Sequence, residues 1–223
     1  MRMGASHCLA ALLAFSCETL LPVSLHSTIV SAESLQPAGG DAEGPHRPPC
    51  VVGGVATASC FGFNATDSTE ILQAALSLLS IHTLVIDRPP TSSCAGSAGG
   101  VSCAWPVRPL YITRHNLAVV FEEDVVLLAK RDEFHGPDDS LLKLEGAHNI
   151  TLQGRPGSVL KMRRADYAVP SWGSCPSCRP YSKAEWRSGI WVAGCKNVTL
   201  SGLTVVETGG DGLFVDDLDF GWP

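Results

Sequence analysis

The chain has 223 residues, 45% of them hydrophobic and only 17% charged, which excludes both a wholly disordered protein and a highly charged helical one. Its 22 glycines and 15 prolines argue for many turns and against a helical bundle. A net charge of −6 excludes a general nucleic-acid binder, and no uninterrupted apolar run reaches the length of a membrane span.

At the N-terminus Arg2 precedes an apolar stretch, Cys8–Phe15, and Val30-Ser31-Ala32 offers the small residues that a signal peptidase reads. Glu18 and Pro22 interrupt the stretch and disfavour a membrane anchor. Residues 1–32 are therefore expected to be a signal peptide, and the mature protein to be secreted. Residues 33–49 are polar and rich in Pro and Gly, so a disordered linker is set at 33–55. Asp67 followed by Glu70 is a capping-box signal, and Ile71, Leu72, Ala75, Leu76 and Leu79 make one apolar stripe, which predicts a helix near 68–80. Beyond it the hydrophobic period drops to two. Short strands are predicted at 83–87, 117–121, 125–128, 141–144, 150–152, 159–162, 190–192, 198–200, 203–206 and 213–215.

An internal repeat organises these strands. Ser140–Gly154 (SLLKLEGAHNITLQG) aligns without gaps to Ser188–Gly202 (SGIWVAGCKNVTLSG), and Gly189-Ile190-Trp191-Val192 returns as Gly212-Leu213-Phe214-Val215. Asn116 precedes Asn149 in the same way. Unequal spacings place one insertion near Lys130–Asp139 and a longer one between Met162 and Ile190. Short strands repeated at this interval predict an all-β solenoid over 56–223, its N-terminal end covered by the helix. The stretch Asp216–Pro223 contains no capping element, so a fragment truncated at its C-terminus and inactive as it stands is expected.

Asparagine tolerates the left-handed backbone of a sharp bend, so Asn116, Asn149 and Asn197 should stack at successive corners. That reading leaves Asn64, in NAT, as the glycosylation candidate. In an oxidising compartment Cys50 and Cys60, and Cys94 and Cys103, could each close a local loop. Cys175 and Cys178 lack a second CxxC or a His pair, which favours a disulfide over a metal site.

The segments DSTEILQAAL, WPVRPLYI, FEEDVVLLAK, SLLKLEGAHNITLQG, AEWRSGIWV and TGGDGLFV resemble the N-terminal half of the secreted, pectin-lyase-like proteins, polygalacturonase-type hydrolases among them. The resemblance implies a right-handed parallel β-helix with an N-terminal capping α-helix, and a polysaccharide partner. It makes Asp211, in Thr208-Gly209-Gly210-Asp211-Gly212, similar to the first acid of the family's Asn-Thr-Asp-Gly segment, with Gly209-Gly210 in place of Asn-Thr. Asp216 and Asp217 are weaker catalytic candidates. The resemblance implies no cofactor for hydrolysis. A lyase would hold Ca2+ on carboxylates such as Asp211, Asp216, Asp217 and Asp219 and use Lys143 or Arg187 as base. A non-catalytic binder of carbohydrate is the third reading.

Alternation puts Leu142, Leu144, Ile190, Val192, Leu213 and Val215 inward, and Lys143, Trp191 and Phe214 outward in one column. Trp191 and Phe214 offer flat apolar surface to sugar rings. The longer insertion and its flanks are basic, with Arg155, Lys161, Arg163, Arg164, Arg179, Lys183 and Arg187. Arg163, Arg164, Arg187 and Lys143 are the expected contacts to an anionic, pectin-like glycan.

Overall fold

Alternating aliphatic residues fold into strands that each bury every second side chain. In β6 (Leu117–Phe121), Leu117, Val119 and Phe121 are buried while Ala118 and Val120 are half-buried. The computed structural model describes residues 50–90, 103–167, 178–181 and 186–216. All lie within one unit, Glu43–Pro223. The chain runs β1 (Val51–Val52), β2 (Val55–Thr57), α1 (Ala58–Phe61), α2 (Thr69–Ser77), β3 (Thr83–Ile86), β4 (Ala104–Val107), β5 (Leu110–Ile112), then β6. It continues as β7 (Val126–Ala129), β8 (Leu142–Glu145), β9 (His148–Gly154), β10 (Val159–Lys161) and α3 (Arg164–Tyr167). The last elements are β11 (Ile190–Ala193), β12 (Lys196–Ser201), β13 (Thr204–Val206) and β14 (Leu213–Asp216).

Three sheets result. Sheet 1 has the order β1-β2-β3-β6-β9-β12, sheet 2 β13-β10-β7-β4, and sheet 3 β14-β11-β8-β5. From β4 onward the chain visits sheets 2, 3 and 1 in rotation, and each strand pairs in parallel with the strand three on. Among the described strands only β1 and β2 pair antiparallel. The protein is thus mostly β, with parallel sheets and few helices. Leu84, Val119 and Leu152 of sheet 1, Leu127 and Leu160 of sheet 2, and Leu110, Leu144 and Ile190 of sheet 3 are all buried in one core. Each such aliphatic side chain contributes roughly 1.5–3 kcal/mol by leaving water.

The repeat sets the register. Ile190 pairs with Leu142 and with Leu213, and Val198 pairs with Ile150. Leu117 pairs with Ile150, as the Asn116–Asn149 spacing requires. Asn116, Asn149 and Asn197 adopt φ of 56°, 56° and 54°. Their side chains form a ladder in which the Nδ2 of Asn149 donates to Oδ1 of Asn116 and that of Asn197 to Oδ1 of Asn149, both at 2.8 Å. Two sequon amides are thereby engaged, whereas Asn64 is exposed in a turn, its Oδ1 accepting from the Thr66 amide and hydroxyl.

Several expectations need correction. Residues 51–55, assigned to the linker, form the β1–β2 hairpin, because Val51 and Val52 find partners in Ala56 and Val55. Strands β4 and β5 escaped the alternation rule because Pro106 and Pro109 interrupt it. The helix is shorter than predicted: α2 ends at Ser77, and Leu79 is 81% exposed. Arg114 donates to the carbonyl of the C-cap residue, Leu78, and, at 2.7 Å, to that of Ile81 in the turn beyond. The capping box is also replaced. Asp67 accepts from the Thr69 amide and hydroxyl at 3.0 and 2.5 Å, while Glu70 turns to Arg108. Leu213 and Val215, in register with buried Ile190 and Val192, are 45% and 59% exposed, since no described strand lies beyond β14.

Helix α2 lies along the free edge of β5. The Gln73 side-chain amide reproduces a strand's pairing there, accepting from the Tyr111 amide and donating to the Tyr111 carbonyl, both at 2.9 Å. Asp67 anchors the start of the helix to Arg108 and Lys130 at 3.1 and 2.9 Å. Burial opposes ionisation of Asp67, but the Thr69 hydroxyl and amide, Lys130 and Arg108 together outweigh it and hold the carboxyl down at about 2. A carboxylate depressed in the folded state stabilises above its unfolded value, and that contribution is lost as pH falls toward the folded value. Acid should therefore remove on the order of 2 kcal/mol between pH 4 and pH 2. Urea titrations across that window should show an Asp67→Asn variant that is less stable than the parent at neutral pH and flatter below pH 4. Parallel pH profiles for the two would remove Asp67 from this role.

Candidate functional site

The two insertions join sheet 2 to sheet 3, one between β7 and β8 and the other between β10 and β11. They therefore flank the same edge of the outer face of sheet 3. Strand register builds a row across that face: Tyr111 on β5 pairs with Lys143 on β8, Lys143 with Trp191 on β11, and Trp191 with Phe214 on β14. Trp191 and Phe214 lie with ring centroids 4.4 Å apart and planes tilted by 31°. Trp186, from the second insertion, meets Phe214 edge-on at 5.6 Å and is 55% exposed. Adjacent strands make such aromatic contacts worth about 1 kcal/mol beyond the area they bury.

The cationic half of the expected site is arranged differently. Lys143 is only 8% exposed, with its ammonium 5.4 Å above the Trp191 ring and 3.3 Å from Asp138. Arg163 is half-buried. It donates from Nε to the Ala129 carbonyl at 2.7 Å, and burial pulls its pKa down. Arg187 is wholly buried. Its guanidinium donates to the carbonyls of Phe134 at 2.8 Å and His135 at 3.3 Å and lies against the rings of Tyr167 and Tyr181, at 5.3 and 5.7 Å. These three residues serve the fold, because each long side chain covers apolar surface and finds an anion, a carbonyl or a ring inside the loops. Arg164, at the start of α3, is exposed. Lys183 lies outside the described residues.

Arg187 also organises the segment that carries Asp211. Its carbonyl accepts the amides of Gly209 and Gly210 at 3.1 and 3.2 Å. A β-carbon at Gly209 would stand 2.9 Å from Tyr167 and 3.1 Å from Arg187, so glycine at this position lets the turn pack against both. Asp211 is exposed there, two residues before β14 rather than at its start. In the register of β8, β11 and β14 the residues beside it are Ser188 and Ser140, both buried and neither acidic. Asp216 pairs with Ala193 at the far end of β14. Asp217 and Asp219 lie outside the described residues, and among the described residues no group of three or more His, Cys, Asp or Glu is placed to hold a metal ion.

The insertions close against each other. Tyr181 donates to the Glu133 carbonyl at 2.8 Å, His135 stacks on Tyr181 at 4.2 Å, and Asp132 accepts the Arg179 amide at 2.8 Å. Burial, with Asp166 and Asp132 nearby, pushes the Tyr181 phenol up to about 12, which keeps it a neutral donor. Burial likewise raises Tyr167. Between the first insertion and α2 lies an open cleft of about 560 Å3, lined by Glu70, Arg108, Tyr111, Glu133, Asp139 and Arg179 among others. Sequence reasoning missed both Trp186 and Tyr111. Trp186 belongs to no strand, and Tyr111 sits on a three-residue strand that directly follows Pro109.

The cysteines pair in part as expected. Cys50 and Cys60 form a disulfide, and Cys103 and Cys178 are each disulfide-bonded. Cys94 and Cys175 lie outside the described residues. Cys195 is a free, half-buried thiol. No described helix is long and apolar enough to cross a membrane.

No family model and no curated protein sequence matches the chain. Among solved structures, a proposed glycosyl hydrolase from Parabacteroides merdae is similar with a TM-score of 0.35 and 14% identity, over 73% of this chain and 74% of that one.

Proposed function

We propose that this chain is a secreted, carbohydrate-active protein of the right-handed parallel β-helix class, and that a glycan lies against the outer face of sheet 3. Parallel strands paired three apart, visited sheet by sheet in rotation, support the β-helix, and the disulfide-bonded Cys50, Cys60, Cys103 and Cys178 support an oxidising, extracellular setting. The observation that carries the function is the Trp191–Phe214 ring pair flanked by exposed Trp186. The half-exposed apolar surface of this pair, together with Trp186, suits the C–H groups on the face of a sugar ring.

Trp191→Ala should weaken binding to a panel of soluble polysaccharides (polygalacturonate, xylan and a β-glucan) about tenfold, with the urea midpoint moved far less. Affinity electrophoresis in gels cast with each polymer reads this out. Equal retardation of parent and variant would return Trp191 to a packing role.

Hydrolysis of an anionic polysaccharide rests on exposed Asp211. Inverting hydrolysis needs a second carboxylate across the bond, and among the described residues the neighbours of Asp211 in its register are serines. That observation favours a second reading, a non-catalytic carbohydrate binder. The release of reducing ends by the parent, and its loss in Asp211→Asn, would decide for the enzyme. A lyase would instead need Ca2+ on residues partly outside those described.

A further inference from the structure

We infer that the cleft between α2 and the first insertion is a terminal subsite, so that the glycan is held by a chain end carrying an uncharged sugar. This inference rests on the glycan reading above and goes further, to the part of the glycan that is recognised. Tyr111 stands in the same row as Lys143, Trp191 and Phe214, and strands ~4.8 Å apart put it about 10 Å from Trp191, on the order of two linked sugar rings. A glycan lying along this row from Trp191 enters the cleft beside Tyr111, whose residue is 40% exposed.

There the row stops. Helix α2 holds the edge of β5 through Gln73, and the Glu70–Arg108 ion pair stands at the cleft wall. A chain threaded along the face meets a helix where the next strand would be, so only its end fits.

The lining defines the chemistry of that end. A volume of about 560 Å3 suits a small-molecule site and contains an aromatic platform surrounded by both acceptors and donors. Glu70, Glu133 and Asp139 line it together with Arg108 and Arg179; Arg108 is already bridged by Asp67 and Glu70, and Glu133 is held by Lys130 at 3.2 Å. Carboxylates thus outnumber the guanidiniums, which suits sugar hydroxyls that donate and accept. A terminal uronate would meet an Arg108 already bridged by two carboxylates, so it gains less there than the hydroxyls of a neutral sugar.

Calorimetry with cellotetraose, xylotetraose and tetragalacturonate, each beside its parent polysaccharide at matched mass, tests this. One neutral tetrasaccharide should bind about tenfold better per unit mass than its polymer, which brings fewer ends. Tyr111→Ala and Glu133→Gln, each checked for an unchanged circular dichroism spectrum, should abolish that preference while Trp191→Ala weakens both probes. Equal binding of oligomer and polymer per unit mass, or binding of tetragalacturonate alone, overturns the terminal subsite and leaves the outer-face reading standing. Binding of none of the six probes overturns both.

Discussion

Arg187→Ala should lower the stability of the protein by about 3–4 kcal/mol, read as a fall in the urea midpoint at unchanged slope. The guanidinium is wholly buried and donates to the Phe134 and His135 carbonyls, so truncation leaves both carbonyls short of a donor inside the loops. Each orphaned group costs about 1–3 kcal/mol. The substitution also removes the cation from between Tyr167 and Tyr181 and opens a void beside their rings, which adds the loss of contact. Arg187→Lys should recover only part of the loss, since one ammonium cannot present the planar fork that reaches both carbonyls. Arg164→Ala, at an exposed position, should change stability by less than about 0.5 kcal/mol. If Arg187→Ala matched Arg164→Ala, water would have to be satisfying the carbonyls, and the clasp between the two insertions would contribute nothing.

The contrast between those two arginines shows what could be read in advance. Both stand in one basic stretch, and charge alone marks them as equals. What separates them is whether a loop closes over the side chain. That depends on Phe134 and His135, some fifty residues earlier, and on tyrosines whose role no local pattern betrays. Lys143 makes the same point: alternation placed it correctly on the outer side of β8, yet Asp138 and Trp191 cover it. The strands themselves were legible because a buried face imposes period two, and a one-residue slip would expose the whole set. Repeat spacing then gave the register that pairs Leu142, Ile190 and Leu213. The Asn corners were legible for a backbone reason, since few side chains accept positive φ. Strands β4 and β5 were not, because Pro106 and Pro109 break the pattern while the strands pair on one side with β7 and β8 and are met on the other by α2 and its N-cap segment. Loop-borne Trp186 carried no periodic signal at all.

The last identity in the repeat, Gly154 with Gly202, allows a second large effect to be expected. Gly202→Ala should cost about 3 kcal/mol, well beyond the cost of an ordinary glycine replacement. Part of this is backbone: Gly202 has a φ of 64°, where an alanine is strained by about 1 kcal/mol. The larger part is contact. A β-carbon there would overlap the Gly154 carbonyl oxygen and stand 3.2 Å from its carbonyl carbon, and backbone held in sheet 1 cannot swing aside as a side-chain tip would. Gly194→Ala separates the two contributions, because Gly194 has a φ of 58° but nothing within 4 Å of the added carbon. It should lose only about 1 kcal/mol. Urea midpoints for the two variants should therefore differ by about 2 kcal/mol, with Gly202→Ala the weaker. Equal midpoints would mean that β9 and β12 part easily at their ends, and that glycine recurs there for its backbone angle alone. A clear difference would mean that the recurrence reflects how closely one strand's end must approach the next, which is also what fixes the spacing of the row from Tyr111 to Phe214 on the neighbouring sheet.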